Sequence, residues 1–222
     1  MLPKLQAGRD GTEFWVLGRE ILSTQHNSDY PEDSNVLREE RKEKLAELRD
    51  RGLNPYPHSY RRTHELAEVK EQYEGALESG GESEDTVRVA GRIVGFRDMG
   101  KACFFDIKDG SDELQGYTNV DLLGEEDYQV LKDLDIGDYI GVAGVIFVTN
   151  RGELSVKAGE FELLSKSLRP LPEKWHGLKD VEKRYRQRYL DLISNEDVKN
   201  TFVARSKLIS SFRRRMDEKG FL

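Results

Sequence analysis

Val87-Arg-Val-Ala-Gly-Arg-Ile-Val-Gly-Phe96 alternates apolar and polar residues, and so does Ala102-Cys-Phe-Phe-Asp-Ile-Lys108. A period of two sends successive side chains to opposite faces of a strand. Asp109-Gly110-Ser111 is a turn before Glu113-Leu-Gln-Gly-Tyr117, so the three runs predict consecutive antiparallel strands. A helical patch follows over Glu125–Leu134, and Gly137-Asp138 then launches the apolar run Tyr139–Phe147. The turn Thr149-Asn150-Arg151-Gly152 leads into Glu153–Lys157, and the last strand resumes through Phe161 to Leu164.

Three strands, a helix and two strands within about 80 residues is the order of an OB-fold barrel, whose strand 2–3 face and loops bind single-stranded nucleic acid. Glycines at 91, 95, 141 and 144 fit the bends of a small closed barrel. The predicted fold class is α+β: a five-stranded OB-fold barrel with helices before it and, after a linker, further helices. Fold alone does not give function.

Outward from the barrel, residues 1–33 show no sustained period and read as a poorly ordered leader. The segment 34–85 is helical. Asn35–Arg51 consists of strong helix formers, with Ser34 or Asn35 as cap and Gly52 as stop. Its apolar stripe, Leu37, Leu45 and Leu48, is thin and suggests a solvated strut. Asn54-Pro55-Tyr56-Pro57 must be extended, because each proline pushes its predecessor out of the helical region. Thr63 opens a second short helix, and a Gly/Glu/Ser loop spans Glu78–Asp85. The barrel occupies 86–164 and a Pro-containing linker 165–180. In 181–222, Val181–Leu192 is helical and Asn195–Lys219 is a long amphipathic helix with Val198, Phe202, Leu208, Ile209, Phe212 and Met216 as its stripe. About 50 residues with one such stripe need a partner surface.

Composition narrows the function. Hydrophobic residues make up 36% of the 222, charged residues 35%, and mean hydropathy is -0.71, the polar end of globular chains. No run approaches the roughly 18 apolar residues of a membrane span, and the first 30 residues lack a secretory apolar core, so a soluble cytoplasmic protein is expected. A single cysteine, Cys103, excludes an internal disulfide and a Cys-cluster zinc site. His26, His58, His64 and His176 have no metal-spaced partners, so no metal is expected. The net charge of -7 hides two halves: residues 166–222 carry +7 and residues 1–165 carry -14. On charge alone, solvated helix faces account for the basic half better than a polyanion surface does.

Three stretches resemble the class II lysyl-tRNA synthetases: Arg97-Asp-Met-Gly-Lys-Ala-Cys-Phe-Phe105, Ser165-Lys-Ser-Leu-Arg-Pro-Leu-Pro-Glu-Lys-Trp-His-Gly-Leu178, and Arg184-Tyr-Arg-Gln-Arg-Tyr-Leu-Asp-Leu192. The second separates the lysine enzymes from their aspartyl and asparaginyl relatives. The resemblance covers residues 87–222 and the Asn54–Pro57 segment, and leaves out 1–33.

In that family the barrel grips the tRNA anticodon. The resemblance implies that Phe104 stacks on an anticodon base, Gln115 reads a base edge, Arg97 contacts backbone or base, and Glu153 helps discriminate uridines. An aromatic ring on a strand face offers any base a stacking surface, while a Gln amide carries both donor and acceptor. Of the adjacent Phe104 and Phe105, one must point inward, and Phe105 is assigned there. Without the resemblance, Gln115 and Glu153 read as solvated strand and turn residues. Lys101, in the Met99-Gly100 turn, is a possible phosphate contact, although solubilising charge explains it equally well. Cys103 reads as a small packed residue.

The helix Asn195–Lys219 resembles the start of motif 1, which in the family forms the homodimer interface. Motifs 2 and 3 are not in the sequence, so no catalytic residue is carried over, and these 222 residues are not expected to activate lysine. The resemblance implies ATP and magnesium for full-length members and the anticodon stem-loop of tRNA(Lys) as partner. The alternative reading is a free-standing, non-catalytic RNA-binding OB-fold protein; a third is a remnant whose exposed stripe makes it aggregate.

Overall fold

The computed structural model describes residues 4–7, 13–16, 32–172, 178 and 180–221. They fall into two compact units, residues 1–36 and 37–222. In the first, strands β1 (Lys4–Ala7) and β2 (Glu13–Val16) pair antiparallel, with Lys4 opposite Val16. The expected poorly ordered leader therefore contains a short ladder. Four residues a side are too few for a period of two to stand out in sequence. The rest of that expectation lies outside the described residues.

Helix α1 (Glu32–Asp50) is docked rather than a solvated strut. Leu45 and Leu48 are buried and so is Arg41, whereas Leu37 is exposed. Helix α2 (Leu66–Tyr73) starts one turn later than Thr63. Glu65 caps it in a reciprocal pair with Glu68, and Thr63 is engaged elsewhere: its N–H donates to the Arg88 carbonyl at 2.8 Å and its Oγ1 accepts from the Arg88 N–H at 2.9 Å.

The barrel comprises β3 (Glu82–Asp98), β4 (Ala102–Lys108), β5 (Glu113–Asn119), β6 (Tyr139–Val148) and β7 (Leu154–Ser165). Helices α3 (Val120–Leu123) and α4 (Glu125–Lys132) lie between β5 and β6. The sheet closes in the order β3-β4-β5-β7-β6, with β6 returning to β3; only β5–β7 is parallel. Strand β3 reaches back into the expected loop through a register shift between Glu82 and Thr86. The two runs at the end form one strand because Gly159 is absorbed as an extra residue: Ala143 faces Glu160 while Gly144 faces Ala158.

Cys103, Phe105 and Ile107 of β4 are fully buried, as alternation requires, and they pack with Val87, Val89, Ile140, Ile146 and Val156. The Phe105 ring lies over Gly116 so closely that a Cβ there would sit 2.1 Å from it. Gly141 does the same for Tyr60, whose hydroxyl donates to the Val142 carbonyl at 3.2 Å. These two glycines admit rings; bends are found instead where the register shifts, at Gly95 and Gly144.

The helix expected over Val181–Leu192 is two: α5 (Val181–Arg186) and α6 (Arg188–Ser194), broken at Gln187 with φ -115° and ψ 56°. Buried Asp191 organises them, accepting from Arg184 Nε at 2.8 Å, from Asn195 Nδ2 at 2.6 Å and from Arg188. Helix α7 (Glu196–Glu218) buries none of its residues, and Leu208 and Phe212 are 71% and 64% exposed. Among the described residues no helix is long and apolar enough to cross a membrane.

Candidate nucleic-acid interface

The alternation that turns Phe105 inward turns Phe104 outward. Across the ladders Arg97 faces Phe104, which faces Tyr117, and one step along Asp106 faces Gln115, which faces Ser155. Side chains at paired positions share a face. Four of the five sequence-predicted residues, Arg97, Phe104, Gln115 and Glu153, therefore meet in a single cavity of about 570 Å³ on the outer face of the barrel. Lys101 does not line it. Its side chain is exposed, without a partner among the described residues.

Each group is held differently. The Gln115 side chain is only 7% exposed, and Ser155 Oγ donates to its Oε1 at 3.0 Å, so the Nε2 protons have no protein partner among the described residues. Arg97 Nη2 donates to Asp106 Oδ1 at 3.3 Å while its guanidinium stays largely exposed. The Glu153 carboxylate is free among the described residues, and its backbone is fixed by the Thr149 hydroxyl at 3.0 Å. Phe104 packs its ring 5.0 Å from Tyr117, which lies 5.8 Å from Phe147. Tyr117, Phe147 and Ser155 were not singled out by the sequence reading. The signal for Tyr117 was there: two residues beyond Gln115 on a strand, it must share that face.

The Met99-Gly100 turn beside the cavity is braced. Gly100 has φ 88°, and its N–H donates to Asp98 Oδ1 at 2.7 Å. Lys132 Nζ, 2.7 Å away, and that N–H hold the Asp98 carboxyl below its ordinary value. The Tyr128 hydroxyl donates to the Gly100 carbonyl at 3.0 Å, and burial pushes its pKa up to about 12. Burial likewise raises the Cys103 thiol to about 11, so it is a packing residue and not a nucleophile.

A second polar cluster fixes how the chain leaves the barrel. Lys166, directly after β7, is fully buried and donates to Asp138 Oδ2 at 2.6 Å and to Asp135. Lys44 Nζ reaches Asp135 at 2.8 Å, and Arg41 donates to the carbonyls of Ile136 and Ser167 at 3.1 and 3.0 Å. Burial would raise the Asp135 carboxyl, but Lys166 and Lys44 together hold it below its ordinary value. The Tyr56 hydroxyl donates to the Lys166 carbonyl at 3.1 Å, which gives the extended Asn54–Pro57 segment its place.

A larger cavity of about 800 Å³ lies between the barrel, Pro170–Pro172 and the start of α7. Its cations are engaged: Lys108 pairs with Glu196 at 3.0 Å, Arg62 with Glu65 at 2.7 Å, and Arg92 lies over the Tyr139 ring at 4.4 Å. Among the described residues no three His, Cys, Asp or Glu side chains are grouped to hold a metal ion. The nearest pair of carboxylates, Asp135 and Asp138, is occupied by Lys166.

Comparison with known proteins agrees with this geometry. Residues 87–164 match a family described as OB-fold nucleic acid binding domain, and residues 180–222 match the class II tRNA synthetases (D, K and N). The two matches lie side by side, a barrel followed by a stretch similar to the class II aminoacyl-tRNA synthetases. The chain is 49% identical over 192 residues to the lysine–tRNA ligase of Oceanobacillus iheyensis, covering 86% of this chain and 39% of that protein. It is 51% identical over 192 residues to that of Pelotomaculum thermopropionicum (86% and 37%), and 47% identical over 199 to that of Bacillus subtilis (89% and 39%). Within that class these relatives are lysine–tRNA ligases, and the chain spans under two fifths of their length.

Proposed function

We propose that the barrel reads the anticodon of a lysine tRNA. One observation carries this reading: Arg97, Phe104, Gln115 and Glu153, drawn from four separate stretches, line the same outward cavity. Phe104 supplies stacking, the free Gln115 amide protons meet base acceptors, Arg97 meets phosphate or base, and Glu153 helps discriminate uridines by accepting from their N3–H. Lys101, outside the cavity, meets phosphate of the adjoining stem.

In a full-length protein this part serves a ligase that joins lysine to tRNA through an ATP-derived lysyl-adenylate in the cytoplasm, as a homodimer using α7. The 222 residues by themselves bind RNA without aminoacylating it. A free-standing RNA-binding barrel would leave the match at 180–222 and the exposed α7 stripe without a role.

The test titrates the 222-residue chain with a lysine anticodon stem-loop and with one carrying an unrelated anticodon. Preferential binding is expected; Phe104→Ala loses about 1–3 kcal/mol, and Gln115→Ala narrows the preference. Equal affinity for both loops overturns the assignment.

A further inference from the structure

We propose that the cavity of about 800 Å³ between the barrel and the start of α7 is a second binding site, for a small aromatic carboxylate held by Arg92. It shares no lining residue with the Phe104 cavity and does not depend on the anticodon reading.

Charge carries the argument. Five cations line the cavity, and four of them have a carboxylate within 4 Å: Arg41 at 3.9 Å from Asp135, Arg62 at 2.7 Å from Glu65, and Lys108 and Lys199 at 3.0 and 3.4 Å from Glu196. Arg92 has none among the described residues. Its guanidinium donates to the Tyr139 hydroxyl at 2.9 Å and to the Gly137 carbonyl at 3.3 Å, and lies over the Tyr139 ring. All three groups are neutral, and they leave N–H groups of the fork free for a carboxylate.

Strand register separates Arg92 from the acids of the cavity. Tyr139 faces Arg92, Arg92 faces Lys108, and Lys108 faces Glu113. Glu113, without an ion partner among the described residues, is therefore two strands from Arg92, about 10 Å away and beyond Lys108. Asp109 follows Lys108 in sequence and Glu196 pairs with it, so the lining carboxylates gather at the Lys108 side and the Arg92 side is left positive.

The rest of the wall suits an apolar body. Ile136, Tyr139 and Ile193 are exposed although they line a concave surface, and Leu171 and Pro172 stand beside them. A guanidinium stacked on one ring offers its other face to a second. The volume falls within the roughly 300–1,000 Å³ of small-molecule sites, which favour junctions such as this one between barrel and helices.

The experiment is isothermal titration of the 222-residue chain with naphthoate and, in parallel, with the uncharged naphthalenemethanol. Naphthoate is expected to bind about ten- to hundredfold more tightly, the increment of a hydrogen bond between charged groups. Arg92→Gln should remove that preference, whereas Phe104→Ala and Phe212→Ser should leave it intact. The proposal is overturned if naphthoate does not bind, if the two probes bind alike, or if Arg92→Gln keeps the preference. It is also overturned if Phe104→Ala or Phe212→Ser abolishes naphthoate binding, which would move the probe to the outer cavity or to the α7 stripe. Should Arg92→Gln fail to fold, Ile193→Glu decides in its place: the added carboxylate should weaken naphthoate more than the alcohol, and equal losses overturn the proposal.

Discussion

The Lys166 ammonium and the Gln115 amide are almost equally hidden, at 3% and 7% exposure, yet they live in opposite conditions. Lys166 finds two carboxylates, and those carboxylates in turn find Lys44 and backbone N–H groups. Gln115 has one partner on its oxygen and none on its nitrogen among the described residues. A buried polar group that is fully paired rigidifies the fold, whereas one left half-paired at a cavity wall has capacity for something from outside. The two clusters on one barrel thus differ in how fully their polar groups are paired.

The comparison can be broken most readily at the structural end. Lys166→Met leaves buried Asp138 without its cation and Asp135 with Lys44, and urea unfolding should show a loss of about 3–5 kcal/mol with RNA affinity of the folded fraction unchanged. Gly116→Ala drives a methyl group into the Phe105 ring and should cost about 1–3 kcal/mol by the same measurement. Phe104→Ala inverts the pattern: its stability should stay within about 0.5 kcal/mol of wild type while stem-loop binding weakens. A Phe104→Ala variant that mainly unfolds would erase the distinction between the clusters.

Acid titration sharpens it further. Because the Asp135 carboxyl is held below its ordinary value in the folded chain, its contribution is fully present above the unfolded value near pH ~4 and is lost as pH falls through the folded value. The urea midpoint should therefore fall less steeply on acidification in Asp135→Asn than in wild type. The smallest effect is expected at Lys42, whose 2.8 Å pair with Glu39 lies in solvent; Lys42→Ala should change stability by less than about 0.5 kcal/mol.

Much of the barrel was legible because a closed sheet enforces strict alternation. The span Ala102–Lys108 was read without error, and Phe105 had only one side to choose. Glu125–Leu134 was read as one patch, and α4 ends two residues sooner. Four cavity residues came from the resemblance rather than the pattern, since nothing in the spacing of Gln115 and Glu153 sets them apart from solvated positions. The Lys166 cluster was illegible for a different reason: Lys44, Asp135 and Lys166 are brought together by the tertiary fold, and local periodicity carries no trace of contacts that distant. Gln187 was missed because a helix break there spares every helix-forming side chain around it. Gly159 was misread as a gap because a bulge keeps the strand going.

Cys103 lends the chain a clock. It is the sole thiol, sealed inside β4, and at a pKa of about 11 roughly one molecule in ten thousand carries the thiolate at neutral pH. An alkylating reagent can modify it at an appreciable rate only when the barrel opens. With reclosing faster than alkylation, the rate of labelling reports how often the barrel stands open, and bound RNA that braces β4 and β5 should slow it.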